Sequence, residues 1–294
     1  MDKRGKGIMK LTLFRNATMI IEYAGTSFLV DPAFGKKGSR DPFPCELRPD
    51  ERNPVAELPA EPEEITAMAD AVIITHLHSD HFDGEAAEVL PKEMPVFVQD
   101  AADAEAVSGY GFTDVRDLSA EQEFGAGQSF GGIQMIKTPG RHGEFGMSEE
   151  ALADLGNVCG VVMRSKQAGC GVDPEDCKID PADCEAAAGC VEKTLYIAGD
   201  TVFYDDVAET IDAYSPDVIV VNAGANNLAG DRLVMDEADV LSVHEAAPGA
   251  VIVAVHMEAF NHWVLSREEL KAFAEEKGFA EKIVIPEDGE SIEC

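Results

Sequence analysis

The stretch that most restricts what this chain can become is Thr75-His76-Leu77-His78-Ser79-Asp80-His81, which follows the apolar run Ala71-Val72-Ile73-Ile74. Three imidazoles and a carboxylate fall close together where a buried strand would emerge into a loop. The chain has seven histidines and three of them are here, so chance clustering in a loop is the weaker explanation. Borderline divalent metals take neutral imidazole nitrogen and carboxylate oxygen, and this stretch offers both. In extended chain, side chains two residues apart share a face, so His76 and His78 can grip one ion. The turn that follows carries Asp80 and His81 towards a second.

A His-x-His-x-Asp-His motif after an apolar strand resembles the signature of the metallo-β-lactamase-fold hydrolases. The order of later motifs resembles the branch that contains L-ascorbate-6-phosphate lactonase and related metal-dependent hydrolases. The resemblance runs from about Leu11 to about Glu287, apart from a cysteine-bearing insert. It implies an α/β fold, a four-layer α/β/β/α sandwich with the metals at one edge between two sheets. One domain is expected over residues 9–294, with residues 1–8 a flexible extension.

The same resemblance implies a ligand set. His142, in Thr138-Pro139-Gly140-Arg141-His142-Gly143, joins His76 and His78 on the first ion. Asp200, in Gly199-Asp200-Thr201 after a strand, bridges the two ions. His256, after the strand Val251–Val255, completes the second ion with Asp80 and His81. Asp31 is expected to brace the metal-binding loop from behind. Read alone, these positions are ordinary: His142 a surface loop residue, Gly-Asp-Thr a turn with a helix N-cap. One departure stands out, since the family often has Gly-His near the first strand and this chain has Arg15-Asn16.

The implied cofactors are two divalent ions, Zn2+ first, with Mn2+ or Fe2+ as alternatives. Two such ions can lower the pKa of a bridging water from ~15.7 towards ~7. The hydroxide would attack a small ester, lactone or phosphorylated metabolite. Asp80 is expected to orient it, and His262 to give a proton to the leaving group. His262 is also the rival of His256 for the last ligand position. Two other readings stay open: a mononuclear iron thiol or persulfide dioxygenase of the same fold, and a non-enzymatic metal-dependent binding or sensor protein. Diiron dioxygen-reducing members carry Glu where this chain has His78, so that chemistry is not expected.

Composition narrows the partners. Acidic residues number 56 against 23 basic ones, for a net charge of −33. Such a field repels nucleic acid and anionic membranes, which leaves a small-molecule substrate. No run approaches the length of a transmembrane helix. Seven cysteines without a secretory signal point to reduced thiols in the cytoplasm. Four of them, Cys170, Cys177, Cys184 and Cys190, lie in an acidic insert at about 166–193, too widely spaced for the usual zinc knuckle, so free thiols are preferred to a metal or disulfides. The lactonase resemblance carries an expectation of a homo-oligomer.

Other segments have two readings each. Residues 33–62 read as a long loop near the mouth of the site. The asparagines of Asn222–Asn227 either orient substrate or make turns. Lys137, Arg141 and Arg232 either meet a phosphate or carboxylate or are surface charge. His244 is taken as a packing residue.

Overall fold

Every residue of the strand Ala71–Ile74 is buried, and its side chains alternate between two cores. Ala71 and Ile73 join the cluster between the sheets, while Val72 and Ile74 join one beneath helices. The strand Val218–Asn222 divides in the same way, Val218 and Val220 inward, Ile219 and Val221 outward. A strand buried on both faces belongs to an inner layer. Two such layers face each other with helices outside both, which makes the four-layer sandwich. Burying each Val or Ile side chain contributes roughly 1.5–3 kcal/mol, which ties each layer to its neighbours. The computed structural model describes residues 9–122, 125–144, 146–148, 152–153, 155–165 and 193–294. Residues 1–8 and the insert cysteines Cys170, Cys177, Cys184 and Cys190 lie outside them.

The first sheet has the order Ser291–Glu293, Lys10–Arg15, Thr18–Tyr23, Thr26–Val30, Ala71–Ile74, Val96–Val98, Val115–Asp117. Its first three pairings are antiparallel and its last three parallel. The second sheet runs Gln128–Phe130, Ile133–Pro139, Cys159–Ser165, Thr194–Ile197, Val218–Asn222, Val251–Val255, Ile283–Val284. It too pairs antiparallel three times and then parallel three times. The two sheets therefore share one pattern, although no repeat is visible in the sequence.

The parallel half of each sheet is wrapped by helices, among them Gly84–Val89, Ala101–Gly109, Asp205–Tyr214, Glu237–Ala246 and Arg267–Lys277. The apolar run Ala71–Ile74 and the strand expected at Val251–Val255 form with those bounds. The helix Asp205–Tyr214 begins only after Val202 has turned into the core and Tyr204 has taken the extended N-cap conformation. Three features were not anticipated: the strand Ser291–Glu293 and the short hairpins at 121–126 and 227–232. Among the described residues, no helix is long and apolar enough to cross a membrane.

Candidate metal centre

The loops carrying the expected ligands all leave the C-terminal ends of strands. Ala71–Ile74 leads to His76, Ile133–Pro139 to His142, Thr194–Ile197 to Asp200 and Val251–Val255 to His256. In open α/β sheets that end is where loops converge and ligands bind. Here the two sheets bring seven donors together. His76, His78 and His142 form one group and Asp80, His81 and His256 a second, each with donor atoms within 4.8 Å of one another.

Asp200 lies between the groups. Its Oδ2 is 3.8 Å from His76 Nε2 and 3.4 Å from His142 Nε2. Its Oδ1 is 3.3 Å from His81 Nε2 and 3.6 Å from His256 Nε2. His256 Nε2 also lies 3.3 Å from Asp80 Oδ2. His81 Nε2 and His256 Nε2 are 3.0 Å apart, two nitrogens aimed at one spot. His76 Nε2 is buried with no hydrogen-bond partner among the described residues. A buried acceptor without a partner costs stability unless something outside the chain meets it. Imidazoles and carboxylates converging in this way are the donor set of a divalent cation site, so the residues fit the metals the sequence implies.

A network behind the donors sets their orientation. Asp31 Oδ2 is 2.8 Å from His81 Nδ1 and accepts from the Thr75 hydroxyl at 2.8 Å, while Oδ1 accepts the Thr75 N–H at 2.7 Å. That contact holds the proton of His81 on Nδ1 and leaves Nε2 free to ligate. Asn222 donates its side-chain amide to Asp200 Oδ1 at 2.5 Å. The unusual Arg15-Asn16 pair is also part of the frame. Buried Arg15 donates to the carbonyls of Ala33 and Ala56, fastening both ends of the long loop. Asn16 donates to Asp80 O at 3.1 Å and accepts the His256 N–H at 3.0 Å, so one turn residue couples two loops of the second group.

Three of these residues have left-handed backbone: Asn16 at φ 59°, Asp31 at φ 45° and His256 at φ 64°. Each costs on the order of 1–3 kcal/mol unless its surroundings impose it, and such strain collects at functional sites. Asparagine tolerates this region better than most residues, which explains Asn16 in its tight turn.

Charge is distributed unevenly over the donors. Burial drives His76 well below its ordinary value and His142 down to about 4, so both rings are neutral. Burial alone would raise the carboxyls of Asp80 and Asp200. The imidazoles of His81 and His256 outweigh it and hold both well below the usual range. Burial would lower His81, but Asp200, Asp31 and Asp80 outweigh it and raise the ring well above its ordinary value. The negative charge concentrated there is what a cation in the second group would meet.

His262 is not in either donor group. Its Nε2 is 3.0 Å from Asn226 Nδ2, and its ring packs edge-on against Phe43 with centroids 4.8 Å apart. The long loop is fastened beside it by Asn261, a residue the sequence reading did not single out. Asn261 Nδ2 donates to Phe43 O and Arg48 O, both at 2.9 Å, and Oδ1 accepts from Phe43 N at 3.0 Å. A buried asparagine in Ala259-Phe260-Asn261-His262 was the available signal, since amides are rarely buried without several partners.

The other open positions divide as follows. Asn222 orients Asp200, Asn226 holds His262, and Asn227 accepts the Gly230 N–H in a turn. Arg232 is paired with Asp239 at 2.5 Å, Asp236 at 3.3 Å and Glu144 at 3.9 Å. Arg141 donates to the carbonyls of Gly143 and Glu144. His244 stacks on Phe279 at 5.0 Å, far from the donors in the fold.

With this geometry established, similarity to known proteins is informative. The chain is 44% identical over 284 residues to UPF0173 protein YddR of Bacillus subtilis (strain 168), covering 96% of this chain and 99% of that one. Two solved structures match almost end to end. Isothiocyanate hydrolase from Delia radicum gut bacteria is 36% identical with a TM-score of 0.82, covering 97% of this chain and 98% of that one. A possible metal-dependent hydrolase from Veillonella parvula DSM 2008 is 30% identical with a TM-score of 0.84, covering 97% and 99%. The metallo-β-lactamase fold protein YhfI of Bacillus subtilis shares the fold alone, at 14% identity and a TM-score of 0.58 over 98% of this chain and 100% of that one. No family model matches the chain.

Proposed function

Because the chain belongs to the UPF0173 metal-dependent hydrolases of the metallo-β-lactamase fold, we propose that it works as a dinuclear enzyme on a small uncharged electrophile in the cytoplasm. The observation that carries the dinuclear reading is the division of Asp200, with Oδ2 turned to His76 and His142 and Oδ1 to His81 and His256. One carboxylate with an oxygen on each side suits two cations held close together. His76, His78 and His142 would hold the first, Asp80, His81 and His256 the second. Zn2+ is our first assignment from the imidazole-rich donor set, with Mn2+ or Fe2+ as alternatives.

Two divalent ions held by these residues would supply Lewis-acid polarisation of the substrate and a water acidified towards neutral pH. The chain's own residues do the rest. Asp80, kept unprotonated, accepts from the attacking water and orients it. Asp31 and Asn222 keep His81 and Asp200 in place, so little reorganisation is needed during the reaction. Neutral His262 would offer its ring N–H as a hydrogen bond to the leaving group.

For the substrate, the three carboxylates around Arg232 and the carbonyls around Arg141 favour an uncharged molecule over a phosphorylated one. The relative named isothiocyanate hydrolase supports the N=C=S carbon as the first class to test. Lactones, esters and phosphomonoesters follow, the last including the kind of substrate that L-ascorbate-6-phosphate lactonase takes. The test is elemental mass spectrometry of protein purified without chelator, with an isothiocyanate and lactone panel. About two zinc or manganese ions per chain, falling towards one in Asp200→Ala, is the expected result. One iron per chain, unchanged by His256→Ala and accompanied by oxygen uptake with thiols, would sink the reading.

A further inference from the structure

Beside His262 the surface opens into a pocket of about 240 Å³, lined by Cys45, Glu46 and Leu47 of the long loop and by Asn227, His262 and Val264. Leu47 and Val264 are 62% and 42% exposed, two of the few large apolar side chains that face solvent among the described residues. Exposed apolar side chains gathered at the mouth of a concave site mark a place for an apolar ligand. No lysine or arginine lines the pocket, and Glu46 does. The nearest cation in that loop, Arg48, donates to Trp263 O at 2.6 Å and lies 3.5 Å over the Trp263 ring. An anionic group would therefore enter against Glu46 and a net charge of −33 without a counter-charge to meet it.

The pocket adjoins the loop of the metal centre that carries His256 through His262, six residues further on, whose carbonyl accepts the Asn227 N–H at 2.9 Å across the pocket wall. With the Asn226 amide donating to Nε2, the proton of the neutral ring is on Nδ1, which is buried and has no partner in the protein. A buried donor left without a partner is costly, and a ligand acceptor would satisfy it.

Resting on the hydrolase reading above, we propose that this pocket is the subsite for the uncharged, apolar substituent of the substrate, with His262 Nδ1–H as the hydrogen-bond donor to a heteroatom at its reacting end. A roughly 150 Å³ apolar cavity accommodates benzene, so the volume here admits a phenyl-sized group. The subsite selects by size and by lack of charge, and the donor fixes which end of the molecule faces the metals.

The chain's one tryptophan, Trp263, stands between His262 and Val264 and supplies a direct readout. The metal-loaded protein is titrated with 2-phenylacetamide, which offers an acceptor, and with toluene, which offers none, following Trp263 emission. Both ligands are expected to give saturable changes. Leu47→Asp and Val264→Asp, at exposed positions that fold without strain, should weaken both ligands at least tenfold, while Leu47→Met stays within about twofold. His262→Phe should weaken 2-phenylacetamide tenfold and leave toluene within about twofold. Wild-type binding in the two Asp variants, or equal loss of both ligands in His262→Phe, overturns the proposal. Binding that follows the expected pattern in a protein that hydrolyses nothing would sink the hydrolase reading and leave the subsite standing.

Discussion

Asn53 and Asn261, 208 residues apart in sequence, grip each other twice: Asn53 Nδ2 donates to Asn261 Oδ1 at 2.8 Å, and Asn261 N–H donates to Asn53 Oδ1 at 2.7 Å. Both are buried. The pair fastens the long loop to the segment that carries His256 and His262.

Asn261→Ala removes partners from several buried groups at once. An unsatisfied buried donor or acceptor costs roughly 1–3 kcal/mol, and the expected loss is about 3 kcal/mol in urea unfolding. Emission of Trp263 in the folded variant should also shift, because the Arg48 carbonyl loses the Asn261 amide that fixes the loop beside that ring.

Asp31→Asn keeps a side chain of the same shape but removes the charge that faces His81 Nδ1. Residues that orient a metal-binding imidazole change affinity by about 10–100-fold when lost. Competition with a chromogenic chelator should show one of the two ions released that much more readily, with the other held as in wild type. Equal weakening of both ions would contradict the assignment of His81 to one group.

Chelation of the metals should lower stability by mass action. A ligand present at 100 times its Kd stabilises the folded state by about 2.7 kcal/mol. Thermal unfolding after exhaustive chelation should therefore occur several degrees lower, and re-addition of Zn2+ should restore it. In Asp200→Ala the difference between chelated and loaded protein should shrink.

Burial pushes His262 down to about 4 from an ordinary value near 6.5. Between these values the unfolded chain binds a proton that the folded chain refuses, so stability falls as the pH drops from about 6.5 to about 4. The slope from this one group reaches about 1.4 kcal/mol per pH unit. His262→Phe should be less stable than wild type at pH 7, and the gap should narrow steadily towards pH 4.5. Parallel stability curves for the two proteins would contradict a buried neutral His262.

Asn16→Ala tests the frame around the second group. Alanine loses the bond to Asp80 O and is disfavoured at φ 59°. A stability loss of about 1–2 kcal/mol is expected. Asn16→Gly, which relieves the backbone but not the lost bond, should recover part of it.

Much of this was legible in the chain. Continuous apolar runs such as Ala71–Ile74 and Val251–Val255 marked strands, and the packed donor motif after Ala71–Ile74 pointed to metal chemistry. Both signals are local, because an apolar run and a histidine-rich turn depend only on near neighbours. The strand Ser291–Glu293 was not legible, since three residues with a half-buried centre carry no pattern of their own; pairing with Lys10–Arg15 makes them a strand. The three asparagines of the 222–227 loop looked alike in sequence and have three different partners in space. Arg15 read as a departure from a family pattern, and its purpose became visible only with Ala33 and Ala56 around it.

By itself the sequence determined the kinds of donor available, and the four-layer order was what its resemblance to a known family implied, because side-chain chemistry and motifs are properties of short stretches. Only the tertiary structure decided which oxygen of Asp200 faces which imidazoles, that Asn53 meets Asn261, and that Leu47 and Val264 share one pocket with His262. Those relationships join residues far apart in the chain, and they exist only once two sheets have packed face to face and brought their loop ends to one edge.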